Sequence, residues 1–178
     1  GIFDADGQSV GTVFEYNYTH HNAGPVYIPC NIEWDDADFA DAYVRSCIWR
    51  YNISFNDNWR GLRSKGTIYS DKGAENTYFY NNLIVTDSYD VLVFDLGDKN
   101  LHLYNNIFYN LETYRKATVR CRWDSAGINS ADVSNNVFFG IDEYISMVTK
   151  DNTTVYKSYS DFVDAGINAK NNILSDPK

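Results

Sequence analysis

Six short segments of this chain set an asparagine in the same surroundings. They are Glu15-Tyr-Asn-Tyr-Thr, Arg50-Tyr-Asn-Ile-Ser, Tyr80-Asn-Asn-Leu-Ile, Tyr104-Asn-Asn-Ile-Phe, Ser134-Asn-Asn-Val-Phe and Lys170-Asn-Asn-Ile-Leu, with Asn17, Asn52, Asn82, Asn106, Asn136 and Asn172 at the third position. A recurring unit constrains a fold more than any local propensity, because each copy must find the same environment. Successive asparagines lie 35, 30, 24, 30 and 36 residues apart. Helical repeats hold a nearly fixed period and a 3.6-residue apolar spacing, and these windows have neither. A parallel β-solenoid accepts unequal periods, since each coil keeps its short strands while connecting loops vary in length.

Within each segment the residue after the asparagine is apolar or aromatic: Tyr18, Ile53, Leu83, Ile107, Val137 and Ile173. The residue three before it is Phe14, Trp49, Phe79, Leu103, Val133 or Ala169. Both positions are expected to face the interior. The variable position between them, Glu15, Arg50, Tyr80, Tyr104, Ser134 and Lys170, is expected to face out, which sets Glu15 beside Arg50 and Tyr80 beside Tyr104. His20 shares its position with Phe55, Val85, Tyr109 and Phe139 and is expected to point inward. A further strand signal precedes each segment, at Ile2-Phe-Asp, Val26-Tyr-Ile, Thr67-Ile-Tyr, Val91-Leu-Val-Phe, Thr118-Val-Arg and Thr154-Val-Tyr.

Coils stacked about 4.8 Å apart would align the six amides in a ladder at one corner. Each bond there is worth about 1 kcal/mol net, so the ladder fixes register more than it supplies stability. The 20 Asn, 19 Asp, 15 Tyr and 10 Phe fit many short strands joined by tight corners. A β-sandwich that uses asparagine only as a surface turn residue is the alternative; it leaves the six apolar successors unexplained.

The 178 residues suit one domain, 1–178. Fifteen Lys and Arg against 24 Asp and Glu give a formal charge of −9, which repels nucleic acid. Apolar runs fall far short of the ~20 residues that span a membrane. Cys30, Cys47 and Cys121 form neither a disulfide framework nor a zinc pattern and read as small buried hydrophobes.

The segments Tyr16-Asn-Tyr-Thr-His20, Arg50-Tyr-Asn-Ile-Ser54, Tyr80-Asn-Asn-Leu83, Tyr104-Asn-Asn-Ile-Phe108 and Asn171-Asn-Ile-Leu-Ser-Asp-Pro177 resemble bacterial right-handed parallel β-helix repeat proteins of the pectate-lyase-like superfamily. The resemblance runs over nearly the whole chain. It implies an all-β fold, a right-handed parallel β-helix of about five to six coils. It also implies a secreted or cell-surface protein acting on polysaccharide, as a lyase or glycoside hydrolase. Members carry a capping helix and further coils, so this chain is expected to be an internal portion, or a unit stacked end to end on neighbours or on the remaining coils of a longer protein. The other class open to it is a non-catalytic β-solenoid serving as an adhesin, a carbohydrate-binding module or a stacking structural module.

Loops carry function on a solenoid, and two long ones draw attention. The first, residues 31–41, gathers Glu33, Asp35, Asp36, Asp38 and Asp41 around Trp34 and Phe39. Asp35, Asp36 and Asp38 offer hard oxygen ligands that suit calcium, though without an Asp-x-Asp-x-Asp-Gly order the run also reads as a solvated acidic loop or a short helix. The second, residues 56–65, unites Asp57, Trp59, Arg60, Arg63 and Lys65. A lyase needs a base for the proton beside a uronate carboxylate and a cation for the enolate, roles that the resemblance gives to Arg or Lys. Asp57, Arg60, Arg63 and His21, which lies one coil earlier on the same corner, are the catalytic candidates; Trp34 and Trp59 are the candidate sugar platforms. Paired carboxylates for a glycosidase among Asp4, Asp6, Asp71, Asp95 and Asp98 compete with ordinary turn chemistry.

Overall fold

The computed structural model describes residues 2–30, 43–60, 66–70, 74–87, 90–94, 99–111, 117–121, 130–146 and 168–175. Its strands follow one another in threes. The first three are β1 (Phe3–Asp6), β2 (Val13–Glu15) and β3 (Tyr18–His20), followed by β4 (Tyr27–Cys30), β5 (Ile48–Arg50) and β6 (Ile53–Phe55). Next come β7 (Ile68–Tyr69), β8 (Tyr78–Tyr80) and β9 (Leu83–Thr86), then β10 (Asp90–Phe94), β11 (His102–Tyr104) and β12 (Ile107–Asn110). The series closes with β13 (Ala117–Cys121), β14 (Asp132–Ser134), β15 (Val137–Phe139) and β16 (Ile141–Ser146).

The three sheets run β1-β4-β7-β10-β13-β16, β2-β5-β8-β11-β14 and β3-β6-β9-β12-β15. Every pairing between these strands is parallel. The chain therefore visits three sheets in rotation and returns to each one strand further along. The protein is all-β, consistent with a parallel β-helix, and the antiparallel pairing of a sandwich is absent from the described residues.

All six asparagines form one column. The backbone N–H of Asn17, Asn52, Asn82, Asn106 and Asn136 each donates to the side-chain oxygen of the next asparagine, at 3.0, 3.1, 3.0, 3.0 and 2.8 Å. The side-chain Nδ2 donates to the same oxygen, as from Asn82 to Asn106 at 3.0 Å, and also to a carbonyl one turn back, as from Asn82 to Trp49. The four middle amides are buried, where polar groups are retained only with partners.

The interior beside the column is aromatic. Phe14, Trp49 and Phe79 stack in succession, with ring centroids 5.3 and 4.8 Å apart, and Phe108 stacks on Phe138 at 5.1 Å. Each such side chain contributes about 1.5–3 kcal/mol on burial. Cys30 is half-buried, and Cys47 is fully buried, which pushes its thiol above the ordinary value.

One expectation is reversed. The residue after each ladder asparagine points outward, with Tyr18 64% and Ile53 44% exposed, and its successor points in: Thr19, Ser54, Ile84, Phe108 and Phe138 are buried. The cause lies one residue earlier. Tyr16, Tyr51, Asn81, Asn105, Asn135 and Asn171 have φ between 55° and 58°, so a left-handed residue turns the corner, the asparagine enters the interior and side-chain alternation restarts from it. The reversal carries His20 to the surface with Phe55. The last strand of the first sheet also differs. It is β16, reached from β15 across Gly140 at φ 70°, whereas the Thr154-Val-Tyr segment lies outside the described residues.

Candidate functional site

A second corner follows the third sheet, where His21 and Asn56 take φ of 55° and 50°. Beneath it lies Asp57, fully buried. Its Oδ1 accepts from the Asn22 backbone N–H at 2.9 Å and from Asn22 Nδ2 at 2.7 Å, and its Oδ2 accepts from the Thr19 and Ser54 hydroxyls at 2.6 Å each. A carboxylate offers about four lone-pair sites, and four donors use them. Asp57, one of the catalytic candidates, thus has its side chain facing inward, where it anchors two turns. Burial, then the Asp57 charge, push the nearby Tyr27 phenol above its ordinary value.

Outside this anchor the two turns meet as a rim. Trp59 donates from Nε1 to the His21 carbonyl at 3.1 Å and from its backbone N–H to the Asn22 carbonyl at 3.3 Å. His20 and His21 bring their Nδ1 atoms within 3.3 Å. The Arg60 guanidinium sits over the Trp59 ring at 4.9 Å from its centroid, which covers one face of that candidate sugar platform. Stacking of coils thus brings His21, Asp57, Trp59 and Arg60 together, with Asp57 turned to the inside. Arg63, Trp34, Asp35, Asp36 and Asp38 lie outside the described residues. Among the described residues no group of three or more His, Cys, Asp or Glu is placed to hold a metal ion, and no helix is long and apolar enough to cross a membrane.

A second concentration of chemistry covers the outer face of the second sheet. In-register pairing builds one column of Val13, Ile48, Tyr78, His102 and Asp132, and another of Glu15, Arg50, Tyr80, Tyr104 and Ser134. Arg50 donates from Nε to Glu15 at 2.6 Å and from Nη1 to the Tyr80 hydroxyl at 2.9 Å. Those two hydrogen bonds, Tyr80 first, raise the guanidinium's pKa above its ordinary value.

Rings stack along the columns. Tyr80 lies on Tyr104 at 4.9 Å and 5°, Tyr78 on His102 at 4.6 Å and 6°, and at the neighbouring corner Tyr16 on Tyr51 at 5.2 Å and 6°. Rings stacked this way cover one another's faces and present edges and polar tips to solvent. Burial, reinforced by the neighbouring tyrosines, holds the Tyr104 phenol above its ordinary value.

Among known proteins, the chain is 25% identical over 134 residues to a lacto-N-biosidase of Bifidobacterium longum subsp. longum. The alignment takes in 75% of this chain and 7% of that protein's length. No protein-family model matches the chain. No solved structure matches it.

The tyrosine face was only half legible in advance. Glu15 beside Arg50 and Tyr80 beside Tyr104 follow from the repeat. Tyr51, Tyr78 and His102 do not stand out in the repeat, although Tyr78 and His102 lie 24 residues apart, the same interval as Asn82 and Asn106.

Proposed function

We propose that this chain belongs to a secreted or cell-surface carbohydrate-active protein and engages polysaccharide along the outer face of its second sheet. Its architecture is a right-handed parallel β-helix of about five to six coils, of the pectate-lyase-like kind; the hand follows from the right-handed crossover that parallel strands adopt.

The observation that carries the reading is the pair Tyr16 and Tyr51. Six ladder corners require a left-handed residue, and four of them use asparagine, which tolerates that conformation. Tyrosine there costs about 1–2 kcal/mol, and one stacked aromatic pair returns only about 0.5–1.5 kcal/mol. Strain kept at two successive corners beside Arg50, Tyr80 and Tyr104 marks a functional surface. The similarity to a protein named lacto-N-biosidase supports a glycan as what that surface meets.

Affinity electrophoresis in native gels containing a panel of polysaccharides tests this. Retardation by at least one polymer, weakened by Tyr16→Ala, is expected; unaltered mobility across the panel would overturn the reading.

A second reading adds catalysis, as a lyase or glycoside hydrolase working at the rim of His21, Trp59 and Arg60. The relative's name favours it, as does the contact of that imidazole turn with the Trp59 and Arg60 pair. Release of reducing ends, or ultraviolet absorbance of unsaturated products, abolished by His21→Ala or Arg60→Ala would support it. Retention without any product leaves a binding module.

A further inference from the structure

We infer that the glycan held by the second-sheet face is uncharged and lies along the axis of the coil stack. The inference rests on the reading of this face as a polysaccharide site.

The axis follows from ring geometry. Because Tyr80 and Tyr104 cover each other at 4.9 Å, as Tyr78 and His102 do at 4.6 Å, the inner face of each ring is closed to a sugar. What the columns offer is a line of polar ring edges repeated at the strand spacing of about 4.8 Å. A ligand that uses several of them at once must repeat its own hydrogen-bonding groups in the same direction. A polymer of hydroxyl-bearing units does so, and tyrosine hydroxyls both donate to and accept from such groups.

Charge selects against acidic polymers. The two columns carry Glu15 and Asp132 against Arg50, a net charge of −1 within a chain of formal charge −9. Arg50 is the cation nearest the tyrosines, and it is already engaged by Glu15 through Nε and by Tyr80 through Nη1. A uronate would have to approach a guanidinium whose charge Glu15 already offsets, and both the Glu15 carboxylate and the field of the whole chain would oppose it. A neutral sugar meets neither obstacle.

The test compares neutral polysaccharides (galactan, xylan and a mixed-linkage glucan) with polygalacturonate and alginate, by affinity electrophoresis from about 0.05 M to about 0.5 M salt. Expected is retention by a neutral polymer that is insensitive to salt. Tyr51→Phe combined with Tyr104→Phe, which keeps both rings and removes two hydroxyls, should weaken it about three- to tenfold without shifting the melting temperature. Retention by the polyanions alone, lost with salt, would overturn the inference and leave glycan binding intact. Retention by neutral polymers unchanged in the double variant would overturn the inference by placing the contact elsewhere. Retention by no polymer in either group would remove the glycan reading itself.

Discussion

Asn22 donates to Asp57 across one turn with the same pair of bonds that Asn17 makes to Asn52: backbone N–H and Nδ2 converge on a single side-chain oxygen. The structure therefore has a second rung, at a second corner, with a carboxylate in place of an amide. The extra oxygen collects the Thr19 and Ser54 hydroxyls, which is why the interior of the first two turns is polar here while Ile84, Phe108 and Phe138 fill the same position further along.

Asp57→Ala strands these donors inside the fold and should destabilise it by about 2–4 kcal/mol. Asp57→Asn keeps an acceptor for Asn22, and the two hydroxyls can turn to accept from its new amide, so the loss should be under half as large. Urea unfolding of the two variants checks this. Equal stability of wild type and Asp57→Ala would show that the carboxylate anchors nothing.

Within the ladder, position along the column sets the cost. Asn82→Ala removes the acceptor for Asn52 and the donor to Trp49 and Asn106, all buried, and should cost on the order of 3 kcal/mol or more. Asn17→Ala, at a partly exposed end, should cost about 1 kcal/mol. Thermal and urea melts of the pair decide; similar losses would mean that the column does not act rung by rung.

Tyr16, 73% exposed, should be replaceable by asparagine with little effect on folding. The relief of a left-handed tyrosine slightly outweighs the lost stacking on Tyr51, leaving stability unchanged or raised by about 0.5 kcal/mol. Glycan retention should fall all the same. A marked loss of stability in Tyr16→Asn would make the pair structural.

Alkali should expose the buried phenol of Tyr27. Its hydroxyl lies near Thr19 and Asp57 without a well-formed hydrogen bond, and its pKa in the fold is raised from the ordinary 10.0, first by burial and then by the Asp57 charge. The unfolded chain then loses this proton before the native one does. Stability from this group is complete below about pH 10 and declines as pH rises beyond it. Denaturation midpoints followed from about pH 8 to about pH 11 should fall more steeply for wild type than for Tyr27→Phe. Parallel curves would contradict the assignment.

The period of the fold was legible because it is spelled in one residue type, and the column of Asn17 to Asn172 follows from it. The facing of the third sheet was not, because it turns on the φ of the residue before each ladder asparagine. Tyr16 and Tyr51 give no hint of a left-handed backbone. The doubled asparagines at 81–82, 105–106, 135–136 and 171–172 do, since the first of each pair suits that conformation and the second makes the rung. Asp57 read as chemistry because it sits in a charged loop. Its distance of 35 residues from Asn22, equal to that between Asn17 and Asn52, was the quieter signal of a structural part.

The rungs are indifferent to the chain that separates them, closing over 24 residues between Asn82 and Asn106 and over 36 between Asn136 and Asn172. Since loop closure grows only slowly more costly with length, evolution can exchange whole cassettes between neighbouring rungs while the framework keeps its alignment. New specificities can thus be auditioned on this scaffold without renegotiating how it folds.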